Sequence, residues 1–268
     1  MKKYFILTLN ALFLFLFVAG IPSVMAVPVE TELLLLADVS GSLDDTDFNL
    51  QRDGYEAAFR DTDVINAIAA TDDGIAVSLV YWSTSQRTAV DWFHITDSTT
   101  SNAFADLVAA ANRPFTGRTY MEDAMNFGVS ELTSDNGFEG NYMVVDVSGD
   151  GADSEGGSSQ IDTGVQSARD NLVDIGVDLI NALWIDDRNY FGDDVADAIQ
   201  AVPYGETNVI YGTGSFSWIV EDYAGFENGI RNKILSEIIP VNPVPEPATM
   251  LLFGLGLLGL AGVNRRKK

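Results

Sequence analysis

From Leu33 to Ala37 the chain is apolar without a break, and it turns polar at once in Asp38-Val39-Ser40-Gly41-Ser42. Such a run predicts a buried strand that empties into a loop. The change recurs downstream, where Tyr142 to Val147 predicts a second strand closed by Ser148-Gly149-Asp150-Gly151. Ile75 to Trp82 places Val77, Leu79 and Tyr81 on one side. Thr88 to Ile95 is another run of β-formers across the short stretch 83–87, so these two predict a hairpin. Val177 to Ile185 is almost continuously apolar, as a parallel strand buried on both faces should be. Phe48, Tyr55, Ala58 and Phe59 recur at helical spacing and predict a helix over 48–59. Further helices are predicted over 103–111, 121–132, 160–175 and from Asp194 to Ala201. A short strand at Asn208 to Tyr211 and a long helix from Trp218 to Ile238 complete the pattern.

Strands alternating with helices over about 210 residues predict one doubly wound α/β domain rather than two smaller ones. In open α/β sheets ligands sit beyond the carboxyl ends of the strands, where Asp38, Ser40 and Ser42 supply the hard oxygens preferred by Mg²⁺, Mn²⁺ or Ca²⁺. Two distant places agree. The loop 113–119 reads Arg-Pro-Phe-Thr-Gly-Arg-Thr and runs into a helical stretch, which puts Thr119 at a helix N-terminus. Asp150 is a second carboxylate at the end of a second strand. Asp146 shares a face with Val144 and Ser148 and so lies under a helix, where a lone carboxylate is costly. The expected solution is a hydrogen bond to neighbouring loop backbone that braces Asp38 or Ser40, with direct coordination of the metal as the alternative. Asp153, Ser154 and Glu155 either rim the metal site or are solvated, and solvation is the expectation.

The order strand-Asp-x-Ser-x-Ser, Gly-Arg-Thr loop, strand-Gly-Asp-Gly resembles the metal-ion-dependent adhesion site of von Willebrand factor type A (vWA) domains. The resemblance implies a mostly parallel sheet of order 3-2-1-4-5-6, with one antiparallel edge strand, helices on both faces and the metal at the C-terminal rim. It implies Asp38, Ser40, Ser42, Thr119 and Asp150 as the metal site, the hydroxyls coordinating and the aspartates binding directly or through water. An acidic group from a partner then completes the octahedron. Ser148-Gly149-Asp150 departs from the Thr-Asp-Gly of many relatives. A subset of bacterial exported proteins of unknown function shares Gln51-Arg52-Asp53-Gly54-Tyr55 together with the stretch 146–151.

The ends of the chain carry addresses. Lys2 and Lys3, the apolar stretch Tyr4 to Gly20 and the small-residue site Val24-Met25-Ala26 predict a secretory signal peptide over 1–26, the alternative being a membrane anchor. The domain is then 27–240. Over 241–268, Pro245-Glu246-Pro247, an apolar run from Met250 to Val263 and a basic Arg265-Arg266-Lys267-Lys268 tail resemble the Pro-Glu-Pro (PEP-CTERM) sorting signal of Gram-negative bacteria. That resemblance implies transient anchoring in the inner membrane, removal by an exosortase, and release to the cell surface or a polysaccharide matrix. A simple C-terminal anchor is the alternative.

Removing both ends takes six of 15 basic and one of 39 acidic residues, leaving 9 positive and 38 negative charges, a net of −29. Such a surface repels nucleic acid and anionic lipid, so membrane contact is expected only through the two terminal segments. With no cysteine, the domain must be held without disulfides. His94, the single histidine, lies inside a strand candidate and reads as structural. There is no Gly-x-Ser-x-Gly elbow, no phosphate-binding loop and too little imidazole for zinc hydrolysis. The leading reading is a non-enzymatic surface module that uses a divalent cation, Mg²⁺ first, to bind an acidic group on a surface protein or polysaccharide. A metal-assisted envelope hydrolase acting on phosphoesters, and a cation that serves stability alone, stay open.

Overall fold

A computed structural model describes residues 25–155, 160–185, 201–221 and 225–238. The signal-peptide and sorting segments fall almost entirely outside these residues, as does the helix expected over 194–201 except for Ala201. Among the described residues the order is β1 (Val27–Asp38), α1 (Asp45–Arg60), α2 (Thr62–Ala69), β2 (Ile75–Trp82), β3 (Gln86–Ile95), α3 (Ser98–Ala110), α4 (Met121–Thr133) and β4 (Phe138–Gly149). There follow α5 (Thr163–Asp174), β5 (Leu179–Ile185), α6 (Ala201–Asn208), β6 (Ser217–Val220) and α7 (Phe226–Ile238). No helix among them is long and apolar enough to cross a membrane.

The strands form one six-stranded sheet of order β3-β2-β1-β4-β5-β6, parallel throughout except for the antiparallel edge pair β2–β3. The uninterrupted apolar run of β1 is explained by its central place. Leu33, Leu35 and Ala37 pack with α1, α2, α3 and α7, while Leu34 and Leu36 pack with α4, α5 and α6. Strands wanted on both faces are apolar at every position, and the period of two disappears from the sequence.

Acidic and polar caps punctuate the helices. Asp44 closes a capping box with Asp47 at the start of α1, and Asp97 does the same with Thr100 at α3. Asp61 ends α1 and caps α2, accepting from the Asp63 and Val64 amides. The sequence reading missed α2, a helix of 8 residues that buries only Val64 and Ile68. Two expectations near the C-terminus are corrected. Trp218 to Ile238 is not one helix: Ser217–Val220 pairs in parallel with Ala182 to Ile185, because aromatic and β-branched residues suit a strand, and α7 starts at Phe226. The sixth strand is therefore not at 208–211, where Asn208 ends α6 and Tyr211 alone bridges Ile180.

Helix α1 lies close to α7 because Gly54 permits it. A Cβ there would stand 2.6 Å from the Phe226 ring. Tyr55, one residue on, packs edge-on against Phe226 and shares a 2.9 Å hydrogen bond with Ser148 of β4. The stretch 51–55 thus ties α1 to both the central sheet and α7.

Candidate metal centre

The sheet brings the ends of β1 and β4 side by side, with Ala37 opposite Ser148. Asp38, the last residue of β1, is wholly buried, and its Oδ1 accepts from the Ser40 amide at 2.7 Å, which folds the loop back over the carboxylate. From there hydroxyls lead outward. Ser40 Oγ lies 3.0 Å from Ser42 Oγ, and Ser42 Oγ donates to Asp150 Oδ1 at 2.9 Å. Thr119 Oγ1 donates to Ser40 Oγ at 3.4 Å. The three loops are thus brought together, with the two carboxylates buried at the base and Ser42 and Thr119 half-buried at the mouth.

Glycine 149, the departure from Thr-Asp-Gly, gives β4 its close approach to the site. A Cβ there would meet Asp38 Oδ2 at 3.2 Å and Asp38 Cβ at 3.3 Å. Ser148 points away to Tyr55 and takes no part in the cluster.

Burial first, and the Asp150 carboxylate second, push Asp38 well above the usual carboxylate range; the Ser40 amide and hydroxyl and the Arg113 charge oppose them only in part. Two buried carboxylates held together are a costly arrangement unless a cation shares them. Asp38 Oδ2 is buried and has no hydrogen-bond partner among the described residues. That orphaned oxygen, together with a donor set of carboxylates and hydroxyls only, fits a hard divalent cation. Among the described residues no three His, Cys, Asp or Glu side chains converge on one point. The oxygens at this cluster are therefore mainly uncharged.

Two residues that the sequence reading did not single out as site residues hold the cradle in shape. Arg113 sends Nη2 to the carbonyls of Val39 at 3.0 Å, Ser40 at 2.6 Å and Leu43 at 3.0 Å, gathering the loop after β1 around one guanidinium. Gln51 Nε2 donates to the Asp38 carbonyl at 3.0 Å. Gln51 belongs to the stretch shared with the exported subset. Arg113 opens the Gly-Arg-Thr loop, but its backbone targets follow no spacing rule. The expectation that Asp153 is solvated is also corrected. It is 2 % exposed and accepts from the Glu122 amide at 3.0 Å, supplying the cap that Tyr120 does not give to α4. Ser154 and Glu155 are exposed as expected, and Ser154 N–H donates to the Thr119 carbonyl at 2.7 Å.

Asp146 does not brace Asp38 or Ser40. It lies on the α7 side of the sheet, where Lys233 Nζ contacts its Oδ1 and stands 3.5 Å from Glu237 Oε1. The expectation failed because the cationic partner comes from a helix 87 residues further along the chain. Burial, opposed by Lys233 and aided by Asp146, pushes Glu237 up to about 8 from its ordinary 4.5. A group raised on folding stabilises fully below its unfolded value and loses that contribution as pH rises through the folded value. The melting temperature should therefore fall between about pH 5 and about pH 9, and Glu237→Gln should flatten that decline.

His94 lies at the far end of the sheet from Asp38, beside Ala76 at the start of β2, with Nε2 2.8 Å from the Asp73 carbonyl.

Residues 28–242 match the family described as "Protein of unknown function (DUF1194)". The chain belongs to the DUF1194 family. Residues 243–267 match the PEP-CTERM protein-sorting motif, which implies export and exosortase-mediated sorting to the surface. No curated protein sequence matches this DUF1194 chain. Its solved structural neighbours are vWA-like. Proximal thread matrix protein 1 from the mussel byssus, in a form with a zinc-occupied MIDAS motif, aligns with TM-score 0.56 and 14 % identity over 80 % of this chain and 49 % of its own. A von Willebrand factor type A protein from Catenulispora acidiphila gives 0.52 and 16 % over 78 % and 43 %. The pilus adhesin SpaC from Lactobacillus rhamnosus GG gives 0.53 and 16 % over 78 % and 31 %. The chain spans about half the length of the byssal protein or less of the others. These likenesses establish the vWA-type fold for this DUF1194 protein.

Proposed function

We propose that this protein is a recognition module of the cell surface or extracellular matrix that binds an acidic group through a divalent cation held by Asp38, Ser40, Ser42, Thr119 and Asp150. The observation that carries the reading is the orphaned, buried Oδ2 of Asp38 at the base of a hydroxyl-lined basin. When bound, the cation supplies a Lewis-acidic centre for a carboxylate or similar anion. Asp38 and Asp150 supply the charge that holds it. Ser40, Ser42 and Thr119 add coordinating oxygens without further neutralising it, which preserves its attraction for an anion from outside. Arg113 and Gln51 fix the loop backbone on which these oxygens depend.

A partner has to bring its own anion to a protein that is strongly acidic overall, and a cation at the mouth is what makes that approach favourable. Mg²⁺ is the proposed ion, with Mn²⁺ and Ca²⁺ sharing the same oxygen chemistry. The signal peptide over 1–26 and the sorting segment over 241–268 are proposed to carry the domain 27–240 out of the cell, with an exosortase as its processing partner.

The test is capture. Immobilised protein should retain acidic surface proteins or polysaccharides from the outer fraction of its own cells in Mg²⁺ and release them in chelator. Asp38→Asn should retain none above background. Equal retention by that variant, or retention in chelator, would reject the reading. Cleavage of model phosphoesters that is lost on Asp150→Ala would replace it by the hydrolase.

A further inference from the structure

Lys233, Asp146 and Glu237 are each 0 % exposed, and they meet in the apolar layer between the sheet and α7. In the register of the sheet Asp146 stands between Leu35 of β1 and Asn181 of β5, and Lys233 is flanked along α7 by the buried Ile230 and Ile234. As an ion pair the arrangement is a poor one. Two carboxylates face one ammonium, and neither Asp146 oxygen nor Lys233 Nζ has a partner in hydrogen-bond geometry, although Nζ and Oδ1 are in direct contact. Charges buried this way recover little of their hydration. Glu237, by contrast, is positioned: Asn181 Nδ2 donates to its Oε1 at 2.8 Å, and Asn181 Oδ1 in turn accepts from the Phe216 amide at 3.1 Å.

We propose that Lys233 and Asp146 react in the folded protein to form an intramolecular amide cross-link between α7 and β4, with Glu237 as the proton shuttle. The reaction begins with transfer of one proton from the Lys233 ammonium to the Asp146 carboxylate that it touches, which supplies the amine and the acid. Burial raises Asp146, against the opposing pull of Lys233, and raises Glu237 to about 8. The amine lone pair attacks Cγ of Asp146, the C–N bond forms, and the carbonyl π pair moves onto oxygen. Glu237 delivers its proton to the departing hydroxyl and takes one from the nitrogen. The C–O bond breaks, the carbonyl re-forms, one water leaves, and Glu237 ends as it began. No oxidant, reductant or cofactor enters. Fixed contact between amine and acid replaces the encounter that makes this condensation slow in solution. The amide leaves neither an amine nor a carboxyl group to be buried there, and the apolar surroundings expel the water.

The cross-link answers a need visible in the sequence. An exported chain without cysteine has no disulfide to hold α7 to the sheet, and an amide at this place does so. The proposal is independent of the cation site.

Peptide mapping of the full chain, purified folded and then denatured and digested with trypsin, tests it. The peptide 119–169 contains Asp146, and a cut after Arg231 opens the peptide that carries Lys233. The expected product is one branched species, lighter than the two peptides together by one water, with no cleavage after Lys233. Glu237→Gln, shown to be folded by its circular dichroism, should yield the two peptides separately. Separate peptides of full mass from the folded wild type would overturn the proposal. A water lost within 119–169 alone, with normal cleavage after Lys233, would assign the loss to Asp150-Gly151 and overturn it equally. Cross-linking in Glu237→Gln to the wild-type extent would overturn the role of Glu237. If that variant does not fold, the wild-type map decides the bond.

Discussion

Asp38→Asn should eliminate the rise in melting temperature that Mg²⁺ or Mn²⁺ gives the wild-type protein, while leaving the metal-free protein at least as stable as before. The two halves have one cause. Without a cation, Asp38 is a buried carboxylate beside Asp150, and each disfavours the other's charge. The amide keeps an oxygen for the Ser40 N–H, which now stands 2.7 Å from Oδ1, and removes the repulsion. With a cation, the wild type gains what binding supplies, about 2.7 kcal/mol at a hundred times Kd. For a domain of this size that is a shift of about 5–10 °C. The variant has lost the anionic oxygen at the base of the site and should show no shift. Thermal unfolding in chelator and in excess Mn²⁺ checks both halves. A variant that melts lower in chelator but still responds to metal would mean that Asp38 serves the fold rather than the ion.

Arg113→Met should produce the second large effect, a loss of about 2–4 kcal/mol in stability together with at least a tenfold weaker grip on the cation. The side chain is 11 % exposed, and its guanidinium donates to three backbone carbonyls of the loop that carries Ser40 and Ser42. Methionine supplies no donor and also removes the guanidinium that lies 5.9 Å from the centre of the Phe48 ring. Its loss also removes a positive charge that helps Asp38 to ionise. Urea unfolding measures the first effect and calorimetric titration with Mn²⁺ the second. An unchanged affinity in a destabilised variant would show that the loop holds its shape without the clamp.

The parts of the architecture that the sequence made legible are those where one physical demand dominates. The stretches of β1, β2 and β5 that are buried on both faces are mainly apolar; the limits of β2 and β5 were read to within two residues, whereas β1 begins at Val27, six residues before the apolar run, because Glu30, Thr31 and Glu32 break the pattern. The polar residues at the ends of β1 and β4 stood out because nothing in a buried strand calls for them. The edge was harder. Strand β6 is 4 residues long, with Trp218 and Ile219 exposed, and its pattern merges with the amphipathic stretch that follows. Helix α2 is short and begins on the cap of the preceding helix, so no gap announced it.

At the site, the side chains that present oxygen were legible and those that shape the backbone were not. Asp38, Ser40, Ser42, Thr119 and Asp150 are recognisable by residue type and order. Arg113 acts on carbonyls, which every residue carries, so its targets leave no trace in the sequence. Asp146 was legible as a buried carboxylate, but its partner was not, because Lys233 lies on a helix whose start had been misplaced.

The central claim is that oxygens from three loops share one divalent ion. Anomalous diffraction from crystals grown with Mn²⁺ tests it most directly. The account predicts a single strong peak enclosed by the side-chain oxygens of Asp38, Ser40, Ser42, Thr119 and Asp150, absent in Asp38→Asn crystals. A saturating Mn²⁺ soak that leaves this basin without a peak, or a peak bound by other residues instead, would contradict it.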